Sequence, residues 1–166
     1  MRTVWLSLKE AHITLYSSDK EAILKGERLN DIHILFAQTL LKQQFPGVQG
    51  LSCTLTQNRL RFDIDKDIVQ VCHVRNNHWI VVSNRLSEAK QIDIFDSVYS
   101  DIDENTEALV SGMFDQPVEL KVNPSLEKQK GSMDCGAYCI AVCASLLQSI
   151  HKFFSVTFTP KACFMF

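Results

Sequence analysis

Apolar and polar positions change their spacing along the chain, and the changes mark its elements. "SSDKEAILKG" reads as a short helix, with Ser18 as its cap and Gly26 as its stop. "LNDIHILFAQTLLKQQFPG" reads as a longer one: either Asn30 or Asp31 can cap it, and it ends before Pro46-Gly47. Its Ile34, Leu35, Thr39, Leu41 and Lys42 fall in register with an apolar stripe. From 51 to 96 the period shortens to Val/Ile-rich runs, "DIVQVCHV", "HWIVVS" and "QIDIFD", separated by the polar turns "RNN" and "NRLSEAK". These are strands. A helix follows over about 103–114, then "PVELKV" as another strand, then "CGAYCIAVCASLLQSIH", a helix apolar enough to lie inside the domain. Helices flanking a central block of antiparallel hairpins make an α+β fold.

The strand pattern also predicts a register. A turn centred on Ser87 sets His78 opposite Asp96, Ile80 opposite Ile94 and Val82 opposite Ile92. Opposed residues share a face, so four aliphatic side chains lie beneath one His/Asp pair at the strand end, and Asp93 points the other way.

Length and composition narrow the classes. The 166 residues suit one domain, and no repeat or Pro/Ser linker divides them. Seventeen basic residues stand against nineteen acidic ones with no Lys/Arg block, which argues against nucleic acid as the main partner. The N-terminal stretch meets Lys9, Glu10 and His12 before a signal-peptide core can form, and no later run reaches membrane-spanning length. A soluble intracellular protein of the cytoplasm or nucleus, monomeric and without metal or cofactor, is the expectation. Six cysteines in such a compartment are thiols rather than a disulfide framework. The last four residues, Cys163-Phe164-Met165-Phe166, formally fit a prenylation box, although Phe164 is not aliphatic and no polybasic stretch accompanies it.

One thiol differs from the others by position. Cys135 opens the apolar helix, where unpaired N–H groups and about half a positive charge favour a thiolate. Cys139 and Cys143, one and two turns on, read as small core residues, and C-x3-C-x3-C lacks zinc spacing. Gly136 removes a side chain where a substrate backbone would approach. A thiol nucleophile needs a base at the end of a rigid element with a carboxylate to orient it, and among His12, His33, His73, His78 and His151 only His78, paired with Asp96, meets that test. Gln129, six residues before Cys135, is placed to curl back and offer an amide to an oxyanion.

The chain order His, Asp, Gln, Cys, written as "HW", "DS" after a strand and "Q-x5-CG", resembles the ubiquitin-like-protein-specific cysteine proteases, the family of the SUMO-removing enzymes. The likeness runs from about residue 24 to 150, includes "RLNDIHI", and is nearest to divergent members found in mobile-element-like genes. It implies a papain-like α+β fold over 1–166, with a C-terminal end altered or shortened relative to the family. It further implies a His78, Asp96, Cys135 triad, Gln129 at the oxyanion hole, and hydrolysis of the bond after the diglycine of a ubiquitin-like modifier. In the family the tail threads between two tryptophans. Trp79 matches one, Arg28 stands where the other is expected, and Asp31 matches a contact to the modifier tail. Arg in place of a flat aromatic wall puts diglycine selectivity in question. Two other readings stand beside the protease: a catalytically impaired module that only binds a modifier, and a thiol-dependent acyltransferase.

Overall fold

The three Val/Ile-rich runs pair as the centre of a five-stranded sheet. The structure, a computed structural model, describes residues 2–148, so the candidate prenylation box lies outside the described residues. In chain order the elements are β1 (Val4–Leu8), β2 (Ile13–Tyr16), α1 (Ser17–Leu24), α2 (Asp31–Gln44), β3 (Gln49–Gly50), β4 (Ile68–Val74), β5 (His78–Ser83), β6 (Gln91–Phe95), α3 (Glu104–Ser111), β7 (Glu119–Val122) and α4 (Cys135–Leu147). The large sheet runs β3-β4-β5-β6-β7, antiparallel through β4, β5 and β6 and parallel at both edges. It is therefore mixed. The hairpin β1–β2, which the sequence reading left without an element, forms a sheet of its own and rests Ile13 and Leu15 on Phe36 of α2.

The β5–β6 register differs from expectation by two residues. Val82 faces Ile94 and Val81 faces Phe95, because the connection centres on Glu88 rather than Ser87. Within it Ser87 and Gln91 donate backbone bonds to Asn84 and Glu88, and Lys90 takes a left-handed φ of 63°. A slip of two preserves the side-chain alternation, so the predicted face survives. Ile80, Val82, Ile92 and Ile94 all lie in one core, packed with Val110 and Met113 behind α3. The odd-numbered positions Val69, Val71, Trp79, Val81 and Phe95 face a second core, filled by α4 and by Ile34 and Ala37 of α2.

The helix ends also refine the reading. Gly26 follows α1 at a φ of 73°, as its role of stop requires, but the cap is not Ser18: the helix is capped at Tyr16, whose N–H donates to the Asp19 carboxylate at 2.7 Å. Asn30, not Asp31, caps α2 by accepting from the His33 N–H at 3.2 Å. The buried face of α2 carries His33, Ile34, Phe36, Ala37 and Gln38, while Leu35, Thr39, Leu41 and Lys42 are only half-buried. The helix is wedged between the main core and the hairpin, which widens its buried face, and Gln38 is drawn in by bonds to the Ser52 carbonyl and the Val71 N–H.

Candidate active site

The apolar helix α4 begins at Cys135 and inserts Cys139, Ile140 and Cys143 into the core beneath the sheet. Asp134 occupies its N-cap position without a side-chain cap bond, so the first-turn N–H groups keep their partial positive charge. Three cysteines on this one helix thus sit in contrasting surroundings. Burial pushes the Cys139 and Cys143 thiols up, as it pushes Cys72 to about 12. Burial acts on Cys135 in the same sense. There the His78 side chain, the backbone hydrogen bond at Trp79 and the charges of His78 and Arg28 outweigh it, and the thiol falls below its ordinary value.

His78 opens β5 and is 6% exposed. Its Nε2 donates to Asp96 Oδ1 at 2.8 Å, which leaves Nδ1 as the nitrogen able to exchange a proton with Cys135. Burial lowers the imidazole pKa, but the hydrogen bonds and charges of Asp96 and Cys135 prevail and carry it to about 9. Burial works against the Asp96 charge too. The His78 bond, with the Tyr99 and Val98 N–H groups donating at 2.8 Å, still holds that carboxyl below the usual range. Thiol, imidazole and carboxylate therefore form one connected set.

Gln129 lies in the loop before α4 with its amide held at both ends. Ser97 Oγ donates to Oε1 at 2.6 Å, Nε2 donates to the Gly131 carbonyl at 2.6 Å, and the backbone N–H of Gln129 reaches the Ser97 carbonyl at 2.8 Å. One amide hydrogen remains for a further acceptor. Trp79 is 5% exposed, with its indole N–H on the Leu29 carbonyl at 3.0 Å and the His73 ring tilted against it at 4.5 Å between centroids. Asp31 is exposed in the first turn of α2. Arg28 is half-buried and donates to the carbonyl of Asn77, just before His78, and to that of Ser132 at 3.0 Å, three residues before Cys135.

Gly136 has a different role from the one expected. A Cβ there would lie 2.8 Å from Leu29 Cβ, so the missing side chain admits Leu29 rather than a substrate backbone. The segment Arg28-Leu29 consequently touches the start of both β5 and α4. Sequence reasoning also missed the support around His78. Tyr99 meets the imidazole edge-on at 5.3 Å, Arg75 lies 4.0 Å over the Tyr99 ring and pairs with Asp103 at 3.1 Å, and Lys128 donates to the Asp96 and Tyr99 carbonyls. Only Asp96 capping its own loop had a local signal, a strand-ending Asp before a turn. The other contacts are long-range.

Among the described residues no group of three or more His, Cys, Asp or Glu side chains is placed to hold a metal ion, and no helix is long and apolar enough to cross a membrane.

No family model and no curated protein matches the sequence. Solved structures do match by fold. The C-terminal Ulp1 protease domain in complex with Smt3, the yeast orthologue of SUMO, superposes at a TM-score of 0.69 with 15% identity over 90% of this chain and 78% of that one. Ulp1 with its catalytic cysteine oxidised to a sulfonic acid gives 0.72 at 13% identity over 98% and 84%. The Xanthomonas campestris effector XopD bound to ubiquitin gives 0.53 at 13% over 82% and 88%. The likeness shows that this chain has the α+β fold of these ubiquitin-like-protein proteases.

Proposed function

We propose that this protein is a thiol isopeptidase that cleaves the bond after the C-terminal diglycine of a ubiquitin-like modifier. The observation that carries the reading is the relay itself. Cys135 sits at the mouth of α4, where His78 lowers the thiol pKa, and His78 is itself hydrogen-bonded through Nε2 to the buried Asp96 at 2.8 Å. Fold likeness to proteases that act on SUMO supports the substrate class.

The Cys135 thiolate attacks the carbonyl of the terminal glycine. The anchored amide of Gln129 and the first-turn N–H groups of α4 meet the developing oxyanion. Protonated His78 then gives its proton to the leaving amine, and a thioester remains on Cys135. Neutral His78 next takes a proton from water, hydroxide adds to the thioester, and the tail departs as a carboxylic acid while the thiolate is restored. Asp96 holds the imidazole tautomer throughout. Trp79 and Asp31 are proposed to flank the tail.

A panel of SUMO, ubiquitin and related tails, each ending in an electrophile, tests this reading. Wild-type protein should be captured covalently by at least one of them at Cys135, and Cys135→Ala should bind the same modifier without capture. Binding without capture by the wild type would instead identify a modifier-binding module.

A further inference from the structure

Arg28 comes from the segment between α1 and α2, yet its guanidinium bridges two loops remote from it in sequence. One ends at Asn77 and delivers His78; the other passes through Ser132 and delivers Cys135. The Met133 sulfur lies 3.9 Å from the same nitrogen that reaches Ser132. Among the described residues no carboxylate lies within ion-pair distance of Arg28, and its charge favours the Cys135 thiolate. A planar fork with several donors can hold two carbonyls at a fixed separation, which a single ammonium on a flexible stem does far less well.

We propose that Arg28 is a positioning residue that straps the base-bearing loop to the nucleophile-bearing loop and supplies fixed positive charge beside Cys135. This rests on the reading of Cys135 as nucleophile. The neighbouring residue reinforces the strap, since Leu29 gives its carbonyl to Trp79 and its side chain to Gly136. Fork and charge are separable functions. The fork sets where imidazole and thiol stand relative to each other, and the charge favours the thiolate, acting on it together with His78.

Two variants separate them. Arg28→Gln removes the charge, and Arg28→Lys keeps the charge but loses the fork. Iodoacetamide alkylation of Cys135 is followed against pH by mass spectrometry of its peptide, and turnover is measured on a diglycine-tailed amide substrate. Arg28→Gln should move the alkylation midpoint up, as expected for loss of one nearby positive charge that favours the thiolate. Arg28→Lys should stay near the wild-type midpoint. Both variants should lose about tenfold or more in kcat with a smaller change in KM, the signature of misplaced reacting groups.

A wild-type alkylation midpoint in Arg28→Gln, or wild-type kcat in Arg28→Lys, would overturn the proposal. Should Arg28→Gln fail to fold, the Lys variant decides alone. Wild-type alkylation confined to the ordinary thiol range would instead sink the nucleophile assignment, a result distinct from either of these.

Discussion

Cys135, Cys139 and Cys143 share one helix, yet only the first has its thiol pKa lowered, because a histidine from a distant hairpin acts at the helix mouth alone. Second-rank residues then decide whether that chemistry is well aimed. Ser97, 2% exposed, fixes the Gln129 amide by donating to Oε1. Ser97→Ala leaves that oxygen without its donor and should cost about 1 kcal/mol of stability. If Gln129 serves the oxyanion, kcat should drop about tenfold while Cys135 alkylation is unchanged, since loss of aim is milder than loss of an oxyanion donor itself. Ser97→Thr, which keeps a hydroxyl, should restore turnover; unchanged kcat in the alanine variant would remove Gln129 from the mechanism. His78, Asp96 and Cys135 were legible in sequence because each stands at an element boundary, and Gln129, in the loop before α4, was legible only by its spacing from Cys135. Ser97, Tyr99 and Arg75 were not, because what they touch lies many residues away.

At the scale of elements, patterning placed the three central strands, α3 and α4, and it placed the correct side chains on each face of β5. It did not fix the turn that joins β5 to β6, where a left-handed Lys90 shifts the pairing by two without disturbing alternation. Nor could it find β3, a two-residue strand, or the side-chain amides that extend its work along β4. Gln38 accepts from the Val71 N–H, and Gln57 both accepts from and donates to the His73 backbone. Such edges leave no periodic trace in sequence. The contact of α4 with the Arg28-Leu29 segment is the element-level feature on which the site depends. Gly136→Ala would drive a methyl toward Leu29 Cβ, the side-chain atom bonded directly to the backbone Cα rather than a yielding chain end. We expect about 1–3 kcal/mol of destabilisation by urea unfolding, as for other overpacked positions. Turnover should fall by more than the population of unfolded protein explains, because the thiol moves with the helix mouth. A stable, fully active Gly136→Ala variant would show that the 28–29 contact does not set the position of Cys135.

Across the whole molecule the sheet separates two cores, and the site stands at the seam between them. His78 and Asp96 share the alternation of the Ile80 and Ile94 face, whereas α4 packs on the Val81 and Phe95 face, so imidazole and thiol meet past the strand ends. Ionisation of that seam is thereby linked to global stability. His78, raised from 6.5 to about 9, contributes stability that is full below 6.5 and is lost as pH rises through about 9. Cys135, lowered from 9.0, contributes in the opposite sense: its stabilisation is full above 9.0 and is lost as pH falls through the folded value. Where the thiolate–imidazolium pair prevails between 6.5 and 9, the folded protein keeps one proton on His78 and the unfolded chain keeps one on the thiol. Proton counts match, and the pair adds no slope to stability against pH. Cys135→Ala removes the compensating thiol while Asp96 still holds the imidazole proton at 2.8 Å. The variant keeps only the part of the His78 rise that Asp96 supplies, so relative to the wild type it should lose stability as pH rises above 6.5, over a window that closes below 9. Urea midpoints at several pH values measure it. Parallel curves for the two proteins would mean that thiol and imidazole titrate independently, and that the folded protein holds Cys135 as a neutral thiol.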